Sequence, residues 1–255
     1  MMDCKKALEE SQGDFDKAIE VLRKKGQKVA ANRADRESSE GVVLAKVNAD
    51  NTSGIIISLN CETDFVAKND DYIQLAQKMA DQALNFSDKN AFLDSDFDGM
   101  KVSEKLLEQT GLIGEKIEIG SFEYISADFV GSYIHAGNKI ASIVGLSENF
   151  EGAKDVSKDL SMQIAAMNPL AIDETGVSQD VIEKEIEIAK DQLRQEGKPE
   201  EMLENIAKGK LKKFFKENTL VNQQFIKDSK VSISQYLKSH SDSVKVIGFS
   251  RVGLV

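Results

Sequence analysis

The sequence is poor in the residue types from which most enzyme sites are built. Its 255 residues include two cysteines, two histidines, two prolines and no tryptophan. Cys4 and Cys61 lie far apart without a CxxC partner, so a disulfide framework is not expected. His135 and His240 are also distant from each other, and neither falls in a cluster of His, Cys and carboxylate residues. Little material is left for a zinc site or a nucleophilic triad, so we predict no catalysis, no metal and no cofactor.

A basic footprint and a long apolar run are missing as well. Asp and Glu number 43 against 33 Lys and Arg, which gives a net charge of −10. Nucleic-acid binders usually neutralise phosphates with Lys and Arg, so we predict no direct contact with nucleic acid. The longest strongly apolar run, Gly54 to Leu59, is far too short to span a bilayer. The N-terminal residues lack the apolar stretch of a signal peptide, and we predict a soluble, cytoplasmic protein.

The usual nucleotide-cradling and hydrolase motifs do not occur in the sequence. One segment approaches a calcium loop, because Asp94, Asp96, Asp98 and Gly99 match the first half of an EF-hand. The position of the bidentate Glu is occupied by Lys105, however, and a cation there would repel the ion. This segment is interpreted as an acidic surface loop.

Residues 1–26 predict a small helical module. The second of its two short helices carries apolar residues at i, i+3, i+4 and i+7, namely Phe15, Ala18, Ile19 and Leu22. Asp14 can cap the start of that helix, and Lys24-Lys25-Gly26 indicates its end. Because two helices this short cannot bury a core of their own, we expect a further element upstream of residue 1. Residues 27–40 are polar with weak periodicity and are interpreted as a linker, with a partly helical linker as the alternative.

Residues 41–126 predict the first half of a core. Apolar residues from Val42 to Val47 and from Ile55 to Leu59 form two strands, and the turn-rich stretch between them predicts a hairpin. A helix follows, because apolar residues recur at helical spacing at Tyr72, Leu75, Ala76, Met79 and Ala83.

The same order of elements recurs in a second half, formed by residues 127–173 and 218–255. A hairpin around Ala136-Gly137-Asn138 precedes a helix that carries Val156, Leu160, Ile164 and Met167 on one face. A short helix from Ile233 to Lys238 and a strand containing Val244 and Val246 complete this half. Two related antiparallel sheet-plus-helix halves place the chain in the α+β class.

Residues 174–217 predict an antiparallel coiled-coil hairpin inserted into the second half. One helix carries apolar residues at the 4-3-4 spacing of a coiled-coil seam, at Ile182, Ile186, Ala189 and Leu193. Gly197-Lys198-Pro199 turns the chain, and a returning helix carries Leu203, Ala207, Leu211 and Phe214.

The most informative segment lies where the second strand gives way to a loop, from Asn60 to Val66. For a lone aromatic such as Phe65, a place in the core is the better expectation, and Asp64 can be a simple helix cap. Strand-to-loop junctions nevertheless hold side chains outward on a rigid support, and recognition residues concentrate there.

Several segments resemble one family, in the order in which that family carries them. Asn60-Cys61-Glu62-Thr63-Asp64-Phe65-Val66-Ala67-Lys68-Asn69 resembles the core signature of bacterial elongation factor Ts, which releases GDP from the GTPase elongation factor Tu. Residues 1–8 with Gly13-Asp14 resemble its N-terminal module, which is UBA-like. Residues 131–135 resemble its second core half, and Lys208-Gly209-Lys210-Leu211-Lys212-Lys213-Phe214 resembles its returning coiled-coil helix.

This resemblance implies a guanine-nucleotide exchange factor that binds elongation factor Tu as a heterodimer or a doubled heterotetramer. Asp64 and Phe65 would enter the GTP-binding domain of Tu, where the phenyl ring would act as a wedge near the magnesium and phosphate side. The implied partner-binding residues are Thr63, Asp64, Phe65, Val66, Ile113, Gly114, His135, Met1, Met2 and Ile226. The family's apolar pair toward the third domain of Tu falls on Ile226 and Lys227, so the lysine departs from the pattern.

Two other interpretations of the same residues stay open at this point. An acidic α+β protein could be a small-molecule enzyme that uses scattered carboxylates, for example around Asp64. It could also be a scaffold that binds its partner without accelerating nucleotide release. For His135, a core or rim position is as compatible with the sequence as a direct contact.

Overall fold

The computed structural model describes residues 2–254, except for the side chain of Asp3. Met1, one of the implied contact residues, and Val255 lie outside the described residues. Helices and antiparallel strands are mixed along the chain, as the α+β prediction requires. Each strand in the two main sheets is antiparallel to its neighbours, so the two sheets share one pattern of pairing.

Two helices precede the first sheet, α1 (Met2–Glu10) and α2 (Phe15–Arg33). The first sheet has the order β1 (Glu40–Val47), β2 (Ser53–Cys61) and β5 (Glu118–Ser126). Between β2 and β5 the chain forms α3 (Asp64–Ala67), α4 (Asp70–Ala83), α5 (Lys89–Asp94), β3 (Asp96–Phe97), β4 (Met100–Lys101) and α6 (Val102–Ile113).

The second sheet has the order β10 (Val246–Gly253), β7 (Ile140–Leu146) and β6 (Phe129–Ile134). Between β7 and β10 lie α7 (Ala153–Met167), α8 (Gln179–Gln195), α9 (Glu200–Asn218), β8 (Gln224–Phe225), β9 (Asp228–Ser232) and α10 (Ile233–Lys238). In both sheets a hairpin supplies the first two strands, its second strand is central, and a later strand completes the sheet. The two halves therefore repeat one topology.

The two sheets pack against each other, and helices cover their outer faces. One face of β1 and β2 buries Val42, Leu44, Ile55 and Ile57 beneath α4. The opposite face buries Val43, Ala45 and Ile56 against Ala141, Ile143 and Val252 of the second sheet. The outer face of the second sheet is covered by α7 and α10. Because β1 and β2 are buried on both sides, they consist of continuous apolar runs instead of an alternating pattern.

The first part of the predicted linker at residues 27–40 is helical, because α2 continues through Gly26 to Arg33. Gly26 does not end the helix; it allows α2 to cross α6 closely. A Cβ atom built on Gly111 of α6 would lie 2.5 Å from the Cα of Gly26. The glycine pair thus permits backbone-to-backbone contact between two helices, and the sequence signal was misread as a helix end.

The predicted helical hairpin is present as α8 and α9. Ala189 and Leu193 of α8 and Leu203 and Ala207 of α9 are buried, and the two helices pack against each other. Lys190 pairs with Glu204 at 2.6 Å. At its base, the amide of Leu170 donates to the carbonyl of Asn218 at 2.8 Å. The amide of Leu220 donates to Ala171 at 2.9 Å, so the two ends of the hairpin lie side by side.

Two smaller predictions need correction. Met167 is exposed at the end of α7, because Asn168 takes a left-handed conformation and ends the helix there, whereas Val156, Leu160 and Ile164 are buried. Val244 precedes β10 and is not part of it.

In the calcium-like segment, Lys101 pairs with Asp94 at 2.9 Å. Within residues 2–254, no helix has the length and apolar character needed to cross a membrane.

Candidate partner-binding site

The segment between β2 and α4 is shaped by two helix caps in quick succession. Thr63 has extended backbone angles, and its hydroxyl accepts a hydrogen bond from the amide of Val66 at 3.5 Å, which starts the single turn of α3. Asn69 then caps α4 by accepting from the amides of Asp71 and Tyr72. Side-chain oxygens of Thr and Asn satisfy the free amides of a first helical turn, so this sequence defines both starts locally.

Phe65 projects from α3 into solvent. Its exposed fraction is 84%, while Ala67 on the same turn is buried and Val66 packs partly against the first-half core. The short apolar side chains therefore anchor the turn, and the ring is left outside. Phe65 therefore does not occupy the core position that is expected for a lone phenylalanine.

Glu115 holds the residues that lead into α3. Its Oε2 accepts hydrogen bonds from the amides of Glu62 and Thr63, both at 3.0 Å. Its Oε1 accepts from the hydroxyl of Thr63 at 2.7 Å. A single carboxylate thus receives three donors from two consecutive residues, and it follows directly on Gly114, whose φ of 82° ends α6. Gly114 supplies the left-handed conformation that brings Glu115 back toward the loop.

Glu62 makes the reciprocal connection. Arg33, the last residue of α2, places its Nη1 2.7 and 2.8 Å from the two carboxylate oxygens of Glu62. The amide of Lys116 also donates to Glu62, at 2.7 Å. This amide and, after it, the Arg33 guanidinium lower the pKa of the Glu62 carboxyl, in spite of the opposing effect of burial. The loop is consequently tied to both α2 and the segment after α6.

Asp64 is exposed enough to contact a partner and forms an ion pair with Lys68 at 2.6 Å, one turn later. The hydrogen bond and charge of Lys68 lower the pKa of Asp64, and the charge of Lys139 adds a smaller effect. Asp64 is therefore an anion at neutral pH.

An open groove of about 560 Å³ lies between α3, α4 and the end of α6. Thr63, Phe65, Val66 and Ile113 contribute to its lining, so the structure brings four of the implied contact residues together. Ile113 is partly buried against the first-half core. Its neighbour Leu112 is 74% exposed and presents the larger apolar surface.

The other implied residues lie outside this groove, within the part of the chain that is described. His135 is exposed on the turn between β6 and β7, with its Nδ1 3.1 Å from the Tyr133 hydroxyl. Met2 is exposed at the start of α1. Ile226 is exposed at the turn between β8 and β9, in the second half. Lys227 next to it pairs with Asp159 at 2.6 Å.

Four residues of the site were missed by the sequence analysis. Arg33 was assigned to a linker, and Leu112 was passed over for Ile113. Glu62 lay within the quoted signature and Glu115 next to the implied contact Gly114, but no role was given to either of them. Arg33, Glu62 and Glu115 are far apart in sequence but close in space. Their hydrogen bonds are therefore visible only in the structure.

Comparison with known proteins relates this sequence to one family. Residues 62–254 match the family described as Elongation factor TS. The elongation factor Ts of Christiangramia forsetii is 63% identical over 254 residues, covering 100% of this chain and 93% of the relative. That of Flavobacterium psychrophilum is 61% identical, with the same coverage. That of Porphyromonas gingivalis is 46% identical over 258 residues, covering 100% of this chain and 92% of the relative. The chain belongs to the bacterial elongation factor Ts family, which is a family of translation elongation factors.

Proposed function

We propose that this protein binds elongation factor Tu and promotes the release of GDP, so that GTP can replace it. Phe65 enters the GTP-binding domain of Tu as a wedge near the magnesium and phosphate side. The observation that carries this proposal is the exposure of an aromatic ring on a braced helical turn, with 84% of Phe65 open to solvent. The protein makes and breaks no covalent bond in this role.

The energetics suit such a wedge. Burying one phenylalanine side chain contributes roughly 1.5–3 kcal/mol, and aromatic anchors at the centre of an interface often dominate binding. Because caps and hydrogen bonds already hold α3, little conformational entropy is lost when Phe65 is buried, and more of this free energy reaches the complex. The groove beside Phe65 offers space for an element of the partner.

Exchange requires the ring to favour one state of the GTPase over another. If the factor weakens GDP binding by some ratio, GDP weakens factor binding by the same ratio. Phe65 therefore stabilises the nucleotide-free conformation of Tu. Asp64, Thr63, Val66 and the end of α6 contact the same domain.

The remaining contacts follow the family pattern. His135 and the N-terminal Met1 and Met2 add contacts to the GTP-binding domain, and Ile226 contacts the third domain. Because Lys227 is held by Asp159, its charge is partly neutralised and Ile226 is left as the apolar contact. α1 and α2 form the UBA-like module, α8 and α9 form the coiled coil, and the complex is a heterodimer or a doubled heterotetramer.

The test follows the release of a fluorescent GDP analogue from Tu after mixing with this protein. Wild-type protein should accelerate release, and Phe65→Ala should reduce the saturating rate about tenfold or more, because the lost burial exceeds the free energy of one decade. Leu170→Ala removes another exposed apolar side chain and serves as the control. Unchanged release with the wild-type protein would refute exchange activity, and full activity of Phe65→Ala would remove the wedge.

A further inference from the structure

A wedge on a single helical turn needs support from outside that turn. α3 has four residues, which is too few for a helix to be stable by itself. Ala67 and Val66 hold it on the apolar side. The residues that lead into it, Glu62 and Thr63, are held by hydrogen bonds to Glu115. The conformation of Asp64 and Phe65 thus depends on these hydrogen bonds.

Glu115 fixes the direction of the Thr63 hydroxyl as well as its position. The hydroxyl has one hydrogen and donates it to Glu115 Oε1 at 2.7 Å. Its lone pairs are then available for the amide of Val66, the hydrogen bond that caps α3. Without an acceptor at Glu115, the hydroxyl could rotate and the cap would weaken. The carboxylate therefore acts on α3 through Thr63.

Glu62 and Glu115 form a reciprocal connection between two loop segments. Glu115 accepts the amides of Glu62 and Thr63, and Glu62 accepts the amide of Lys116. Arg33 places its guanidinium on the Glu62 carboxylate and compensates part of the negative charge that the two acids concentrate. Hydrogen bonds to ionised groups are about twice as strong as neutral ones, so few contacts suffice to hold the loop.

We infer that Glu115, Glu62 and Arg33 are positioning residues for Phe65, and that they couple the end of α2 to nucleotide release. This inference rests on the proposed exchange function. The three residues need not contact Tu; they determine where the ring stands when Tu arrives. A change in α2 is transmitted to the wedge through the contact between Arg33 and Glu62.

Glu115→Gln tests the first part. The new amide group turns an N–H toward donors that need an acceptor, so at least one of the three hydrogen bonds is lost. The saturating rate of GDP release should fall about tenfold, the factor expected for one hydrogen bond to a charged group. The half-saturating concentration should change less, because the binding surface stays intact. Glu148→Gln is the matched control, since Glu148 accepts hydrogen bonds from Ser241 and Ser243 in the second half.

A double-mutant cycle separates positioning from general destabilisation. If Glu115 acts only through the ring, Glu115→Gln should have no further effect on the release rate in a Phe65→Ala background. Equal effects of Glu115→Gln in both backgrounds would overturn the inference and leave the proposed function standing. Wild-type activity of Phe65→Ala alone would remove the wedge from the proposed function, and unchanged GDP release with the wild-type protein would refute exchange activity itself.

Arg33 provides a second, milder test that leaves Glu115 in place. Arg33→Ala should lower the saturating rate, and Arg33→Lys should restore part of it, because lysine keeps the charge but loses the planar guanidinium. Arg23→Ala removes an exposed arginine of the same helix and should behave as wild type. An Arg33→Ala variant with the wild-type rate would show that α2 is not coupled to the wedge.

Discussion

Gly26 and Gly111 are in contact where α2 crosses α6, and we predict that alanine has different effects on stability at the two positions. Alanine at either position should gain helix propensity of up to about 1 kcal/mol over glycine. A Cβ atom on Gly26 would lie 3.6 Å from the Cα of Gly111, which is ordinary van der Waals contact. A Cβ atom on Gly111 would lie 2.5 Å from the Cα of Gly26, so backbone would have to move.

The steric cost, compared with the gain in helix propensity, decides whether each alanine variant is more or less stable than the wild type. Forcing a methyl group into packed backbone costs about 1–3 kcal/mol. Gly26→Ala should therefore raise the free energy of unfolding by about 0.5–1 kcal/mol, because the propensity gain meets no steric opposition. Gly111→Ala should leave it unchanged or lower it by up to about 2 kcal/mol, because the steric cost exceeds the gain. The two variants should differ by about 1–3 kcal/mol.

Urea denaturation followed by circular dichroism measures this difference, and each variant is the other's control. Amide hydrogen exchange should locate the effect, with faster exchange in α2 of Gly111→Ala only. The same variant should slow GDP release from Tu, because Glu115 lies one turn after Gly111 and moves with the end of α6. Equal stability of the two alanine variants would refute the argument, since the close approach would then cost nothing.

Three further predictions concern other parts of the chain. Gly131→Ala should strongly lower the urea midpoint, because its Cβ would lie 2.3 Å from Ser157 Oγ, whereas Gly209→Ala has open space among the described residues and should raise it. The pKa of Glu62 is lowered from 4.5 in the folded protein, so its contribution to stability is present above that pH and is lost as the pH falls below it. The urea midpoint of wild type should therefore fall more steeply on acidification than that of Glu62→Gln. Lys68→Ala removes an exposed ion pair and should change the free energy of unfolding by less than about 1 kcal/mol in the same assay.

Local sequence patterns predicted the hairpin of each sheet but not how the sheets meet. The apolar run from Ile55 to Ile57 predicts a buried strand, and it is one. That both of its faces are covered depends on Ala141 and Ile143, which come from a strand far along the chain. No periodicity within a window of a few residues carries that information.

Two parts of the site show the same limit. Gly26 after two lysines is typical of a helix end, and only the presence of Gly111 opposite explains why the helix continues. Phe65 by itself predicts a core residue; its exposure follows from Ala67 taking the buried position on the same short turn. The resemblance to a family singled out Phe65, whereas the support from Arg33 and Glu115 required the distances between side chains.

The closed base of the α8–α9 hairpin has a consequence for how the second half folds. Leu146 of β7 pairs with Val246 of β10, so a loop of about a hundred residues must close before this sheet is complete. The hairpin forms through contacts close in sequence, and the hydrogen bonds of Leu170 and Leu220 join its two ends. When it forms first, roughly half of that loop is bypassed, which lowers the entropic cost of closure by about 0.6 kcal/mol. Lengthening or shortening the hairpin at its Gly197 turn leaves the hydrogen bonds at its base intact. The length of the hairpin can therefore vary while the second sheet assembles at the same rate.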